Sequence, residues 1–185
     1  MNEKNLIEKA KKGDKHALAQ LVKSHEKTVY NFSFKICRNK DLAENIMQET
    51  FLSMVKSLHQ FDGNSKLSTW LYRIVSNHCL MEYRKMKKHF LSLDDEEVPE
   101  KSRESSDWSA VPSFEIENNE LKDILDNAIN KLPPDYRIVF ILRDVNGFST
   151  EETGNIINLS VPAVKSRLHR ARAFLRDEIN MAFKI

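Results

Sequence analysis

Basic side chains are concentrated in one short stretch near the end of the chain. Five Lys or Arg residues and no acidic residue lie between Val161 and Arg176. Long cationic donors at helical spacing can hydrogen-bond to phosphates and to base edges in the major groove of a duplex. The same composition occurs on ordinary solvated helix faces, so the pattern favours a DNA-reading helix and leaves the solvated face as its alternative.

The residues just before this stretch have the signals of a helix-turn-helix. Ser149 and Glu152 have the spacing of a capping box, so a short helix is expected to begin there and to end near Asn158. Ser160 can cap the next helix. Pro162 then falls in that helix's first turn, where its missing N–H is not needed.

The second helix of this unit has two different faces when it is drawn at about 100° per residue. Its narrow apolar face consists of Val164, Leu168, Ala171 and Leu175. The side chains that point away from it are Lys165, Ser166, His169 and Ala173, with Arg170 and Arg172 on the two flanks. This arrangement predicts a helix that packs on a core along one face and presents hydrogen-bond donors on the other.

A second polar stripe lies in the first half of the chain. Arg73, Asn77 and Arg84 recur at helical spacing, and Lys85, Lys87 and Lys88 follow. A separated DNA strand requires cations for its phosphates and a hydrogen bond to an exposed base edge, which an amide can supply. On the residues alone, Asn77 is better interpreted as a surface residue with local hydrogen bonds, and Trp70 as a core residue.

Hydrophobic periodicity predicts helices throughout both halves of the chain. In the first half, one helix carries the apolar positions from Leu18 to Ile36, and Asp41 is expected to cap the next, which runs to Leu58. A turn follows Phe61, and another helix is expected to start at Ser68 or Thr69. In the second half, Pro133 and Pro134 are expected to stop one helix, and a further helix reaches Gly147.

Composition and charge indicate two helical domains joined by an acidic linker. The chain has 185 residues with only 4 Gly and 5 Pro, which favours an all-α fold. The net charge of +2 divides into +8 for residues 1–90, −8 for 91–120 and +2 for 121–185. We therefore predict domains at 1–90 and 114–185 and a flexible linker at 91–113. Such asymmetry suggests a polyanionic partner.

Several function classes are excluded at this level. Two cysteines cannot provide a disulfide framework or a four-ligand zinc site, and four glycines are too few for a phosphate-binding loop. No catalytic residues, metal or cofactor are assigned, and no enzyme activity is expected. The start of the chain does not have the pattern of a signal peptide, and no apolar run is long enough to span a membrane, so a cytoplasmic location is expected.

Two blocks of the chain closely resemble the extracytoplasmic-function (ECF) sigma factors of bacterial RNA polymerase, in the sigma-70 family. In the second half the similar motifs are 132–137, 142–149 and 159–172, which resemble the domain that reads the minus-thirty-five promoter element. In the first half, 41–51 is similar to the polymerase-docking helix of the family, and 61–65 with 68–77 to its minus-ten-reading element.

The resemblance implies roles for individual residues. Minus-thirty-five recognition would use Lys165, Ser166, His169 and Arg170. Minus-ten recognition would use Asn77, Arg73 and the loop Asp62, Gly63, Asn64, Ser65 and Lys66. Contacts to the DNA backbone are assigned to Arg84, Lys87, Lys88, Arg143, Arg167 and Arg172. Docking on the clamp helices of the largest polymerase subunit would use Glu44, Asn45, Gln48, Glu49 and Phe51.

The resemblance also implies partners. These are core RNA polymerase, through its clamp helices and its beta flap, promoter DNA, and an anti-sigma factor; the linker would thread the RNA-exit path. The family usually has Asp at position 45, an apolar–Ala pair at 153–154 and Gly at 158. Two alternatives remain at this point: a sigma mimic that sequesters an anti-sigma protein, and a free-standing helix-turn-helix regulator.

Overall fold

In the computed structural model, the backbone is described for residues 2–92 and 119–183, and the side chains for 2–86 and 122–182. Every regular element in these ranges is helical. Two compact units are present, Met1–Glu82 and Tyr83–Ile185, and the division falls within a long helix. The predicted linker at 91–113 lies outside the described residues, apart from the end of that helix, which extends to Ser92.

The first unit consists of four α-helices and one 3₁₀ turn. The helices are α1 (Glu3–Lys11), α2 (Lys15–Cys37), α3 (Lys40–Ser57) and α4 (Leu67–Ser92), with the 3₁₀ turn at Leu58–Gln60. The predicted stripe of α2 is confirmed, since Leu21, Val29 and Ile36 are fully buried. Leu71, Val75 and Cys79 of α4 are buried in the same unit.

Two helix starts in the first unit differ from their predicted positions. The cap of α3 is Asn39, whose Oδ1 accepts a hydrogen bond from Leu42 N at 2.8 Å, whereas Asp41 lies within the first turn. The prediction for Asp41 was wrong because Arg38, in the left-handed region at φ 55°, ends α2 and lets α3 start earlier. Helix α4 begins at Leu67, one residue before the predicted Ser68.

The second unit contains a further four α-helices and a π-helical turn. The helices are α5 (Asn119–Lys131), α6 (Pro134–Phe140), α7 (Thr150–Ile157) and α8 (Val161–Phe183), with the π-helical turn at Ile141–Val145. The stop at Pro133-Pro134 is confirmed. The helix expected to reach Gly147 instead changes to π geometry, with Asn146 N bonded to Ile141 O at 2.8 Å.

A buried arginine completes the end of α5. Arg137 is only 5% exposed, and its guanidinium donates to three carbonyl oxygens: Ile129 at 3.0 Å, Asn130 at 2.7 Å and Leu132 at 2.7 Å. The last carbonyls of a helix have no partner within the helix, and proline cannot donate to them. Arg137 therefore replaces the missing backbone donors and joins α5 to α6. Across the described ranges, no helix is both long enough and apolar enough to cross a bilayer.

Candidate nucleic-acid interface and docking groove

Helices α7 and α8 form the predicted helix-turn-helix. The capping box is present in both directions: Glu152 Oε2 accepts from Ser149 N at 2.7 Å, and Ser149 Oγ accepts from Glu152 N at 3.1 Å. Asn158 ends α7 in the left-handed region at φ 54°, and Ser160 Oγ accepts from Ala163 N at 3.4 Å at the start of α8. These contacts fix the turn without a glycine, because Asn tolerates the left-handed region.

Gly154 allows the turn to approach α7 closely. A Cβ at this position would lie 2.6 Å from the carbonyl oxygen of Leu159 and 3.8 Å from Val164 Cγ2. The residue is buried and helical. The departure from the Ala usual in the family at this position therefore has a steric reason in this chain.

The two faces of α8 match the prediction. Val164 and Ala171 are fully buried, and Leu168 and Leu175 nearly so. On the opposite side, Lys165, Ser166, His169 and Arg170 are exposed. The apolar face holds the helix against the second unit's core, so the four polar side chains project from one rigid element.

Three arginines on α8 have partners on the preceding elements. Arg172 forms a two-point ion pair with Asp144, at 2.8 Å from Nε and 2.6 Å from Nη2, and this hydrogen bonding raises the pKa of Arg172. Arg167 Nη1 lies 3.5 Å from Asp135 Oδ1, and Arg170 Nη1 lies 3.4 Å from Tyr136 Oη. Each guanidinium retains N–H groups for a further acceptor, because it has five in all.

Arg143 has a different environment from these three. It is half-buried, and its Nη1 donates to the backbone carbonyl of Phe148. Its buried Nε has no hydrogen-bond partner among the described residues. Arg143 thus holds the segment that leads into α7, and its assignment to a phosphate contact stays a prediction.

The loop before α4 is shaped by its first residue. Asp62 accepts from Asn64 N at 2.9 Å through Oδ1 and from Asn64 Nδ2 at 2.7 Å through Oδ2. The backbone hydrogen bond from Asn64 is the main cause that lowers the pKa of Asp62, and nearby Lys11 adds to it. Gly63 has φ 77°, a value that this tight turn requires and that other residues rarely adopt. Asp62 therefore positions the loop, and Ser65 and Lys66 stay exposed at its end.

An aromatic pair anchors the same loop. The rings of Phe61 and Trp70 lie 5.4 Å apart at 50°, and Lys11 Nζ lies 6.0 Å from the centre of the Phe61 ring. Phe61 is buried and Trp70 is half-buried. Trp70 packs on the first unit's core, in line with the preferred interpretation of the sequence.

The polar stripe of α4 is exposed where it is described. Arg73, Asn77 and Arg84 are exposed along one side, while Val75 and Ser76 are buried on the other. The side chains of Lys87 and Lys88 lie outside the described residues. Asn77 and the loop at 62–66 both belong to the first unit, and the loop leads directly into α4.

An open apolar groove lies between α2 and α3. Its volume is about 760 Å³. Two large apolar side chains in it are unusually exposed, Leu52 at 52% and Val55 at 49%. The other apolar side chains that line it are Leu18, Ala19, Val22, Met47 and Phe51, and its charged lining residues are Lys15, Lys23 and Glu26. Exposed apolar surface that is surrounded by charge is typical of a protein–protein contact.

Of the five predicted docking residues, Gln48 and Phe51 line this groove, and the other three are not among its lining residues. Glu44, Asn45, Gln48 and Glu49 are exposed along α3. Phe51 is only 9% exposed and packs in the core, while it also lines the groove together with Gln48. The docking set predicted from the sequence did not include Leu52 or Val55. Val55 was expected on the apolar stripe of α3 beside Met54, but it is 49% exposed and lines the groove. Their size and apolar character at exposed positions were the signal that could have revealed them.

Two models of known families match the chain, one for each helical unit. The Sigma-70 region 2 model matches residues 21–89, and the Sigma-70, region 4 model matches residues 122–175. The first match includes α3, the loop at 62–66 and Asn77, and it includes the groove residues from Val22 onward. The second includes α7, the turn and α8 as far as Leu175.

Similarity over the full length decides the family. The ECF RNA polymerase sigma factor SigW of Bacillus subtilis is 34% identical over 181 residues, which cover 95% of this chain and 96% of that protein. The chain belongs to the ECF sigma factors. The ECF RNA polymerase sigma-E factor of Haemophilus influenzae is 28% identical over 183 residues, which cover 97% of this sigma factor and 96% of that protein.

Two solved structures share the fold. RpoE of Bartonella quintana, in a co-crystal with the anti-sigma factor NepR, superposes with a TM-score of 0.66 at 22% identity, over 90% of this chain and 96% of that one. CnrH, in complex with the cytosolic domain of CnrY, superposes with a TM-score of 0.63 at 22% identity, over 97% of both chains. The all-α fold with a region 2 and a region 4 domain is thereby confirmed.

The activity of this chain follows from its family. It is an alternative sigma factor, which binds core RNA polymerase and directs promoter recognition, DNA melting and the initiation of transcription. Sigma factors are initiation factors and not enzymes. Region 4 supplies the helix-turn-helix, and region 2 supplies α3, the loop at 62–66 and α4.

Proposed function

We propose that this sigma factor reads the minus-thirty-five element with Lys165, Ser166, His169 and Arg170 on α8. The observation that carries the proposal is that these side chains are exposed on one face of α8 while Val164 and Ala171, on the other face, are fully buried. Arg170 can donate two hydrogen bonds to one guanine edge through its guanidinium. Lys165 can donate to the same kind of edge through its single ammonium group. Ser166 is small enough to let the helix approach the groove.

A promoter-binding comparison tests this assignment. Arg170→Ala is expected to weaken binding of the holoenzyme to its own minus-thirty-five sequence by about 1–3 kcal/mol while leaving non-specific duplex nearly unchanged. Arg176→Ala is the matched control, because Arg176 is an exposed arginine on the same helix outside the assigned set. Equal losses on specific and non-specific duplex would make Arg170 a phosphate contact and contradict the base-reading role.

We propose that six further basic residues, which lie in both units, bind phosphates of the DNA backbone. Arg167 and Arg172 are already oriented by Asp135 and Asp144, so less side-chain entropy is lost when a phosphate accepts their remaining N–H groups. Arg84 is exposed on α4; Lys87, Lys88 and the half-buried Arg143 complete the set. Removing one of these cations is expected to weaken DNA binding about equally on every DNA sequence. It should also reduce the slope of log binding constant against log salt concentration by about one.

For the minus-ten element, we propose that Asn77 hydrogen-bonds to an unstacked base and that the loop Asp62–Lys66 forms the pocket wall. The support is that Asn77 is exposed, that Arg73 is exposed one turn earlier on the same side, and that Asp62 already holds the loop in a fixed turn. Asn77→Ala should change the base preference at one minus-ten position, measured by transcription from a promoter library. An unchanged base profile would contradict the proposal.

We propose that the groove between α2 and α3, together with the exposed residues Glu44, Asn45, Gln48 and Glu49 of α3, docks on the clamp helices of core polymerase. Leu52→Glu should weaken binding to core polymerase by about tenfold or more, since it places a charge in the apolar part of the contact. Met81→Glu is the matched control, because Met81 is similarly exposed, at 48%, but lies on α4. Equal binding of both variants would exclude the groove.

The remaining proposals concern the partners of this sigma factor, its location in the cell and its domain organisation. The superposable RpoE of Bartonella quintana was solved with an anti-sigma factor, and we propose that such a partner also controls this chain by covering surfaces that core polymerase needs. The beta flap of polymerase would contact region 4. The site of action would be the cytoplasm, where polymerase and chromosome lie. We also propose residues 1–90 and 114–185 as separate modules that the acidic segment 91–113 connects.

A run-off transcription assay with core polymerase tests the function as a whole. The expected result is a transcript that depends on this protein and starts at promoters from its own genome. A sequestering mimic would bind an anti-sigma protein but give no transcript. A free-standing regulator would bind its DNA site without core polymerase. Either outcome would overturn the proposed mode of action.

A further inference from the structure

Two cysteines meet in the core of the first unit. The Sγ atoms of Cys37 and Cys79 lie 3.0 Å apart, although the residues are 42 positions apart in the sequence. Cys37 is the last residue of α2, and Cys79 lies in the middle of α4. Neither has a role in the DNA-reading or docking surfaces. A disulfide has a sulfur–sulfur distance of about 2.05 Å, so about 1 Å of movement separates these thiols from a bond.

We propose that Cys37 and Cys79 are an oxidation site, which forms an intramolecular disulfide in the presence of a hydroperoxide. Cys37 is 6% exposed and Cys79 is completely buried, so the peroxide oxygen reaches Cys37 first. Cys37 ends its helix, and the last turn of a helix opens more readily than its middle. Cys79 then acts as the resolving thiol from within the core.

The hydroperoxide is the only oxidant that formation of this disulfide needs. The Cys37 thiol, as thiolate, attacks the O–O bond, which breaks to give a sulfenic acid on Cys37 and releases an alcohol or water. The Cys79 sulfur then attacks the Cys37 sulfur, the S–O bond breaks, and water leaves with the Cys79 proton. Two thiols lose two electrons and two protons in total. Because Cys79 is in contact with Cys37, this second step competes well with over-oxidation of the sulfenic acid.

The bond is expected to act as a lock on the folded domain and not as a switch that inactivates it. The two sulfurs are already neighbours in the folded, reduced protein, so the exposed side of α4, with Arg73 and Asn77, changes little when they bond. The unfolded chain, in contrast, loses conformational freedom when positions 37 and 79 are joined. Disulfides in intracellular proteins are mostly of this transient, redox-dependent kind.

Intact-mass spectrometry of the full-length protein treated with hydrogen peroxide is the decisive experiment. The expected product is a monomer that lacks two hydrogen atoms, has lost both free thiols and regains them with dithiothreitol. In Cys79→Ala the resolving thiol is missing, so dimedone should trap a sulfenic acid at Cys37; in Cys37→Ala, Cys79 should stay reduced. A wild-type monomer that keeps both thiols, while the urea-unfolded chain forms the bond in the same peroxide, would overturn the proposal.

Two further readouts test the lock. The melting temperature of the first unit should rise by at least about 5 °C on oxidation and return with dithiothreitol. The Cys37→Ser, Cys79→Ser double variant should show no such shift. The comparison of oxidised with reduced wild-type protein does not depend on whether that variant folds. Promoter-specific run-off transcription should stay within about twofold of the reduced protein. A larger loss of transcription on reversible oxidation would show an inactivating switch and contradict the lock.

Discussion

Arg172 on α8 and Asp144 on the π-helical turn form a two-point ion pair, with both contacts under 3 Å. The π geometry of Ile141–Val145 places Asp144 where its carboxylate faces α8. The pair therefore connects the DNA-reading helix to the segment that precedes the helix-turn-helix. Side chains of Arg172 and Asp144 are 53% and 22% exposed, so water and salt screen the attraction.

Asp144→Ala is expected to lower the stability of the second unit by about 0.5–1 kcal/mol, the range for a partly exposed but bidentate pair. Thermal unfolding at low salt checks this value. The difference from wild type should shrink in high salt, because screening weakens the wild-type pair. Asp123→Ala removes an exposed acid of α5 in the same unit and should leave stability nearly unchanged. A loss that is independent of salt would contradict an electrostatic role.

Gly154→Ala should destabilise the helix-turn-helix although alanine is the better helix former. The added Cβ would lie 2.6 Å from the Leu159 carbonyl oxygen, so the turn must move. We expect a net loss of about 1–2 kcal/mol after the gain in helix propensity of up to about 1 kcal/mol. Faster amide hydrogen exchange in α7 and α8 would report it. Asn155→Ala, an exposed neighbour on α7, should be neutral or slightly stabilising.

Arg137→Met should cause a larger loss, of about 2–4 kcal/mol, since it removes three hydrogen bonds, to the carbonyls of Ile129, Asn130 and Leu132, of which those to Ile129 and Leu132 are buried. Methionine keeps most of the apolar volume, so the effect reports the hydrogen bonds. Urea unfolding measures it. Arg176→Met, on the exposed side of α8, serves as the control. Equal stabilities of the two variants would mean that water replaces the guanidinium without penalty.

A pH-dependent contribution is expected from Asp14, the cap of α2. Its Oδ1 accepts from His16 N at 2.9 Å and Ala17 N at 3.1 Å, and the hydrogen bond from Ala17 N is the main cause that lowers the pKa of Asp14 below its ordinary value of 3.8. The stabilisation by the ionised form is therefore complete above the ordinary pKa, and it is lost as the pH falls through the lower folded value. Asp14→Asn keeps an acceptor and should remove this acid dependence from the melting temperature. A wild-type acid profile in Asp14→Asn would assign the dependence to other carboxyls.

Much of this protein could be predicted from local sequence. The capping box at Ser149 and Glu152, the stop at Pro133 and the buried face of α8 all depend on residues within a few positions of one another, and periodicity reveals such patterns directly. The exposed positions of Lys165, Ser166, His169 and Arg170 follow from the same helical geometry. The assignment of Asp41 as a cap failed because Asn39, two residues earlier, offered an equally good acceptor.

Tertiary structure alone decided the features that join distant parts of the chain. The groove with Leu52 and Val55 exists only because α2 and α3 pack side by side, and the 3.0 Å approach of Cys37 to Cys79 brings together two helices that are far apart in sequence. The same holds for Asp144 beside Arg172 and for the Arg137 guanidinium on the carbonyls of α5. Periodicity determines which face of a helix is buried, but it carries no information about which helix covers that face. That choice depends on the packing of complete side-chain surfaces against each other.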